Sequence, residues 1–290
     1  MDYVKPMRIA ITGAQGMLGR QLCRQWSAEA VGLDLPRWDL TDAAAVEGYL
    51  LDLRPDAVVN TAAFTAVDLA ESQVEACRRV NVDAVAMLTG VCRRLDCPLV
   101  QISTDYVFGA DAARSTPYRE SDLPGAVNAY GRSKLDAERH AAAWRKHLIV
   151  RTCGLYGRPG PRTATVHFVD RMLQLGTGRR SVAVVDDQRS TPSYVPHVAA
   201  AIDRLLRTES YGIWHVVNRG DTTWHGFACE IFRQEGMDVA VRRISSRQYA
   251  APAARPAYSV LDTSKYAAVA GAPLPAWQAA LGEYLTSRRA

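Results

Sequence analysis

The chain lacks several features that would decide its class outright. None of its six cysteines (Cys23, Cys77, Cys92, Cys97, Cys153 and Cys229) stands in a C-x-x-C pair or at zinc-ligand spacing, so they read as reduced packing residues of a cytoplasmic protein. No ligand cluster supports a bound metal. No run approaches the roughly twenty apolar residues that span a bilayer. The opening Met1-Asp2-Tyr3-Val4-Lys5-Pro6 has no long apolar segment either, so no signal peptide or membrane anchor is expected. Lys and Arg are scattered among Asp and Glu, for a formal net charge of +5, and no basic run would track a nucleic-acid backbone. Such a surplus bears on solubility and on attraction of an anionic metabolite. Repeats and low-complexity tracts are missing as well.

What is present is an alternation. With 290 residues and 48% hydrophobic composition, the chain can bury a sizeable α/β core. Apolar runs at 8–12, 30–34, 57–60, 99–103 and 147–152 predict buried strands, and helical spacing covers 21–27, 43–53 and 75–95. Another helix surrounds Tyr130. This is the rhythm of βαβ units, and the fold class expected is α/β: a doubly wound parallel sheet, Rossmann-like, with a smaller α/β substrate-binding lobe. Residues 1–155 are assigned to the dinucleotide-binding domain. Gly157-Arg158-Pro159-Gly160-Pro161 breaks the pattern. Residues 156–290 are assigned mainly to the lobe, leaving room for some segments to return to the core. There the pattern predicts helices at 166–175, 195–207 and 225–235, and strands at 181–185 and 212–217.

Gly13, Gly16 and Gly19 close the first strand and open the first helix. Glycines in that position tighten the turn, admit a pyrophosphate to the backbone and let the helix pack on the strand, while the helix N-terminus offers free N–H groups. Asp34, fifteen residues after Gly19, ends the second strand, where a carboxylate can hydrogen-bond a ribose 2′-hydroxyl and favour NADH. Asp39 can do the same, or can cap the next helix. Arg20 and Arg37 could instead accept a 2′-phosphate, so the cofactor expected is NADPH or NADH. Small residues after the third strand permit close approach to it. Tyr130 and Lys134 lie four apart and share a helix face. A lysine there is expected to lower the phenol pKa from about 10 toward neutrality, letting it exchange a proton with a carbonyl or alcohol oxygen. Thr104, at the end of the fourth strand, can cap that strand or meet the same oxygen.

Taken together, Gly-x-x-Gly-x-x-Gly, Ser103-Thr104-Asp105-Tyr106-Val107-Phe108 and Tyr-x-x-x-Lys resemble the signature of extended short-chain dehydrogenase/reductases acting on nucleotide sugars. Asn60 to Glu71, Asp187 to Pro192, Thr222 to Ala228 and Arg255 to Thr263 are similar to segments of the dTDP-4-dehydrorhamnose reductase family. The resemblance runs from about Met7 to the last helix. It implies that Tyr130 is the proton donor, Lys134 its partner and a nicotinamide-ribose ligand, and Thr104 the helper on the substrate oxygen. Gly16, Met17 and Leu18 would line the pyrophosphate, Asp34, Asp39 and Leu40 the adenosine, and Ala62, Ala63, Phe64 and Thr65 the rest of the cofactor. Val67, Asp105 and Tyr106 would touch the sugar. The best-known members carry a tryptophan where Gly154 stands, so this chain leaves room there for another sugar or for a neighbour such as Tyr156.

The expected activity is reduction of the 4-keto group of a nucleotide-linked deoxysugar, specifically dTDP-4-dehydro-L-rhamnose. Arg255 is the candidate pyrophosphate contact. Alternatives are a reductase or epimerase for another 4-keto sugar and a non-catalytic dinucleotide-binding regulatory subunit; a binding module has no need of Thr104, Tyr130 and Lys134 together. Neither nucleic acid nor membrane is an expected partner, and a homodimer is left open.

Overall fold

Five strands form where apolar runs predict them: β1 (Ile9–Thr12), β2 (Ala30–Leu33), β3 (Ala57–Asn60), β4 (Leu99–Thr104) and β5 (His147–Thr152). The structure, a computed structural model, describes residues 7–161 and 166–289; residues 1–6, on which the reading of the N-terminus rests, lie outside them. Every residue of β1 and β3 is buried, as a parallel sheet covered on both faces requires. Strand order is β2-β1-β3-β4-β5, all parallel, and a sixth strand, Gly212–His215, pairs with β5. This is a Rossmann-like sheet, with the crevice between the carboxyl ends of β1 and β3 at the point where strand order reverses.

The sixth strand means that the large sheet draws on both sides of residue 155. Helix Val195–Arg207 also belongs to this layer. It lies against helix Met17–Gln25, where the Trp26 indole donates to Asp203 Oδ1 at 2.5 Å. The remaining lobe pairs Ser181–Val185 with Ala240–Ile244 in parallel. Helices Phe168–Gly176, Trp224–Glu235 and Trp277–Arg289 surround a core that includes Tyr156, Phe227 and Tyr284. Strand Ala240–Ile244 escapes the sequence pattern because Arg242 and Arg243 interrupt it.

Two helices differ from expectation in ways that serve the crevice. The first begins at Met17 rather than 21, immediately after the glycine turn, and carries no side-chain cap. No cap side chain therefore takes up its first N–H groups. The predicted helix 75–95 is interrupted by a π-turn at Arg79–Asp83. There Asn81 accepts from Phe64 N at 2.8 Å and donates to Phe64 O at 3.2 Å and Ser133 Oγ at 2.9 Å. The π-turn thus ties the loop after β3 to the Tyr130 helix. At the carboxyl edge, Thr12 Oγ1 donates to Asn60 Oδ1 at 2.6 Å and Asn60 Nδ2 to Gln101 Oε1 at 2.8 Å. This buried polar row locks β1, β3 and β4 in register.

Candidate active site

A cleft of about 680 Å³ runs along the carboxyl ends of the strands. It collects most of the residues singled out from sequence: Asp34, Asp39 and Leu40 beyond β2, the glycine turn with Met17 and Leu18 beyond β1, Ala62 to Thr65 beyond β3, and Thr104, Tyr130, Lys134 and Gly154 toward β4 and β5. Gly19, Val67, Asp105, Tyr106 and Arg255 are not on its lining.

The glycines of the turn allow close backbone packing. Gly13 has φ +68°, and a Cβ on it would stand 2.6 Å from Ala62 N. One on Gly19 would stand 2.2 Å from Gly13 O, so Gly19 acts by letting the helix pack close rather than by touching a ligand. Asp34 Oδ2 accepts from Gln15 N at 2.7 Å and Oδ1 from Leu35 N at 2.8 Å, bracing the turn from β2. Asp39 does not cap the next helix. Its carboxylate accepts from Thr41 N and Oγ1, each at 2.8 Å, and those bonds hold its pKa below the ordinary value, while Asp42 is the cap.

At the other end, helix Ala129–Ala142 begins with two capping contacts. Asn128 Oδ1 accepts from Gly131 N and Glu71 Oε1 from Ala129 N, both at 2.7 Å. A Cβ on Gly131 would lie 2.2 Å from Tyr106 O, so only glycine lets the helix approach the loop after β4 this closely. That approach sets the Tyr130 ring edge-on to Tyr106, 6.2 Å between centroids, with Thr104 beside it on the cleft lining. Thr104 caps the turn Asp105–Val107, accepting from Tyr106 N at 3.2 Å, and its hydroxyl donates to Asp105 Oδ1 at 3.1 Å.

The electrostatics correct one expectation. Burial, helped by the nearby Asp105 carboxyl, pushes the Tyr130 phenol above its ordinary value rather than toward neutrality, outweighing the opposing effect of Thr104. Lys134, 3% exposed, is instead the group brought toward neutrality: burial lowers it to about 8, opposed by Glu138 and then Cys77. Asp105 is buried behind the site, donated to by Ser259 Oγ at 2.5 Å, with its carboxyl pushed up by desolvation. Arg255 forks onto Asp68, Nη1 to Oδ1 at 2.5 Å and Nη2 to Oδ2 at 2.9 Å.

The space beside Gly154 is bordered from the lobe. Tyr156 does not fill it, being packed against Tyr194, Phe227 and Tyr284 in the lobe core. Trp224 and Phe168 line the cleft instead, their ring centroids 4.7 Å apart. His167, which caps helix Phe168–Gly176, lines it as well. Sequence reasoning missed these three and Trp38. Trp224 lies in a segment already similar to the reductases, yet nothing local shows that the chain returns it to the cleft.

Among the described residues no group of three or more His, Cys, Asp or Glu could hold a metal ion, and no helix is long and apolar enough to cross a membrane.

The family model of the RmlD substrate binding domain matches residues 7–289. A dTDP-4-dehydrorhamnose reductase of Streptomyces griseus is 41% identical, over 97% of this chain and 93% of its own. The chain belongs to this reductase family. A dTDP-4-keto-6-deoxy-D-glucose reductase of Streptomyces niveus is 35% identical over 94% of this chain and 95% of its own. Among solved structures, the dTDP-4-dehydrorhamnose reductase of Bacillus anthracis in complex with NADP superposes with a TM-score of 0.91. It is 33% identical and covers 98% of this chain and 100% of its own. Membership makes the chain an oxidoreductase of the NAD(P)H-dependent kind.

Proposed function

We propose that the protein reduces the 4-keto group of dTDP-4-dehydro-L-rhamnose to give dTDP-L-rhamnose, with NADPH or NADH as cofactor. The observation that carries this reading is the single cleft joining a glycine phosphate cradle to Thr104, Tyr130 and Lys134. The bound dinucleotide supplies the hydride. Tyr130, kept protonated by its burial, gives its hydroxyl proton to the oxygen of the reduced carbonyl. Thr104 hydrogen-bonds that oxygen and fixes its position. Lys134 holds a positive charge one helical turn away, stabilising the tyrosinate left behind. A phenol above its ordinary pKa suits this direction, since it stays protonated until an alkoxide, a stronger base, forms beside it.

Gly16, Met17 and Leu18 are assigned to the pyrophosphate, Asp34, Asp39 and Leu40 to the adenosine side, and Ala62 to Thr65 to the stretch between. Val67, Asp105 and Tyr106 stay with the sugar end, Asp105 and Tyr106 acting from behind the lining through their contacts with Thr104 and Tyr130. Arg255, engaged with Asp68, would have to exchange that partner to reach a diphosphate. The proposal includes a cytoplasmic location and a homodimer, the latter decided by light scattering on the eluting protein.

A second reading has a specific basis. Gly154 leaves space that Trp224 borders, and the Streptomyces niveus relative reduces a different dTDP-4-keto sugar. Oxidation of NADPH and NADH, followed with enzymatically made dTDP-4-dehydrorhamnose and with dTDP-4-keto-6-deoxy-glucose, separates the two. Turnover of the first supports the primary reading. Turnover of the second alone replaces it, and turnover of neither with either cofactor overturns both.

A further inference from the structure

Tyr130, Lys134 and Glu138 follow one another at intervals of four along helix Ala129–Ala142, so they share one face. Glu138 is 4% exposed and is the only one of the three outside the cleft lining. Its carboxylate gathers three donors: Arg151 Nε at 2.8 Å, Arg151 Nη2 at 2.7 Å and Ser103 Oγ at 2.6 Å. Arg151, 1% exposed, is pinned in turn. Its Nη1 faces His215 Nε2 at 3.4 Å and its guanidinium lies 5.0 Å from the Phe108 ring centre. The Lys134 ammonium, on the cleft lining, makes no hydrogen bond to another described residue.

We infer that Glu138 is a positioning residue for the reaction, holding the buried counter-charge that keeps Lys134 an ammonium and tying the Tyr130 helix to the strand that carries Thr104 and the strand that leads to Gly154. The inference rests on the proposed roles of Tyr130 and Lys134. Two arguments support it. The first is mechanical: Ser103 precedes Thr104 on β4, and Arg151 stands on β5, three residues before Gly154, so one carboxylate joins the Tyr130 helix to two strands that end at the cleft. The second is electrostatic. An ammonium on a side chain as desolvated as this one is costly unless a counter-charge lies close. Glu138 supplies that charge, while Arg151 takes up part of its field, leaving one net positive charge in the row Lys134, Glu138, Arg151. A single positive charge is what a transient tyrosinate beside it needs.

The groups facing Lys134 are few: Tyr130 and Glu138 on its own helix and Cys77 from helix Val74–Arg78, with Arg151 and the neutral His215 reached through Glu138. Of these, Glu138 opposes the burial penalty most strongly. The sign follows. Removing the Glu138 charge lets Lys134 lose its proton at lower pH; removing the Arg151 charge does the opposite, because Glu138 is then wholly available to it.

The test reads Lys134 directly, through the pH dependence of its 13Cε chemical shift in labelled protein, the resonance being identified by its loss in Lys134→Arg. This needs neither sugar nor cofactor, so it stands if the proposed substrate is wrong. In Glu138→Gln the Lys134 midpoint should fall by about one pH unit, and in Arg151→Met it should rise. The double variant, a neutral pair, should fall between wild type and Glu138→Gln, and it carries the test if either single variant does not fold. In parallel, the alkaline limb of kcat/KM should move with the midpoint. Midpoints unmoved in folded variants, or moved in the same direction by both single changes, overturn the inference.

Discussion

The edge of the Trp224 indole stands against Gly154: a Cβ on Gly154 would lie 3.8 Å from Trp224 Cη2 and 3.4 Å from Pro192 Cα. Gly154 has φ +50°, a conformation that L side chains rarely adopt. The aromatic surface beside Gly154, at the end we assign to the sugar, therefore comes from helix Trp224–Glu235 and not from the turn after β5 that carries Gly154. Trp224→Ala should raise KM for the nucleotide sugar about 2- to 10-fold, the scale of one aromatic contact, and leave NADPH affinity within about twofold. An unchanged KM would remove Trp224 from sugar recognition.

Tyr130→Phe keeps the ring, its edge-on contact with Tyr106 and the helix start, and removes only the acidic proton. Steady-state kinetics should show kcat lower by about 10²- to 10⁴-fold, the usual worth of a positioned proton donor, with cofactor affinity retained. Full activity in this variant would exclude the phenol as donor. Since the wild-type phenol is pushed up and Lys134 down to about 8, kcat/KM should decline above pH about 8 as Lys134 discharges, with no separate ionisation of Tyr130 near neutrality.

Asp34 both braces the glycine turn and lines the cleft at the end we assign to the adenosine. Asp34→Asn keeps an oxygen for Gln15 N but removes the charge that repels a 2′-phosphate. Titration of both dinucleotides by fluorescence should show the NADPH-to-NADH affinity ratio rising by about tenfold, on the scale of a charged hydrogen bond. A ratio unaltered by the change would mean that another group reads the 2′ position.

The large sheet was legible because buried β-strands announce themselves as short apolar runs: β3 and β5 fall where those runs predict them. Chemistry on strand ends and helix starts was legible too, since glycine spacing and the Tyr130–Lys134 interval are local. What could not be read are relations made by tertiary contact. Gly212–His215 shows as a strand, but nothing local says that it pairs with β5. Phe168 reads as a helix residue and Trp224 stands just before a predicted helix, and only the packing of the lobe brings them to the cleft. The pKa expectation failed for the same reason. Sequence spacing shows that Lys134 is near Tyr130, whereas burial of the phenol and the position of Asp105 depend on the loop after β4.

Gly131 tests how tightly the fold sets the site. A methyl at this position would meet Tyr106 O, which is backbone and cannot swing aside. Gly131→Ala should therefore lift the helix from the loop, lowering stability by about 1–3 kcal/mol as overpacking does. It should also lower kcat by more than it raises KM, because Thr104 and Tyr130 separate. Thermal denaturation and kinetics on the same preparation check both parts. Lost stability with intact kcat would show that the site tolerates the shift.

His215 gives a pH signature for the buried charge row. Its Nδ1 faces Asp262 O at 3.2 Å and its Nε2 faces Arg151, an arrangement that suits only the neutral ring donating from Nδ1. Burial first, and the Arg151 charge second, lower its pKa to about 3. An unfolded chain takes up that proton near the ordinary pKa of about 6.5. Between those values the unfolded state binds more protons, so stability present above pH 6.5 is lost as pH falls toward 3. From pH 7 to pH 4 the loss assignable to this residue is on the order of 3 kcal/mol. His215→Gln cannot titrate, yet can still accept from Arg151. Urea unfolding at pH 7 and pH 4 should show the gap in unfolding free energy narrowed by about that amount. If the gap persists undiminished, the acid sensitivity of the fold lies in other groups and the row does not depend on a neutral His215.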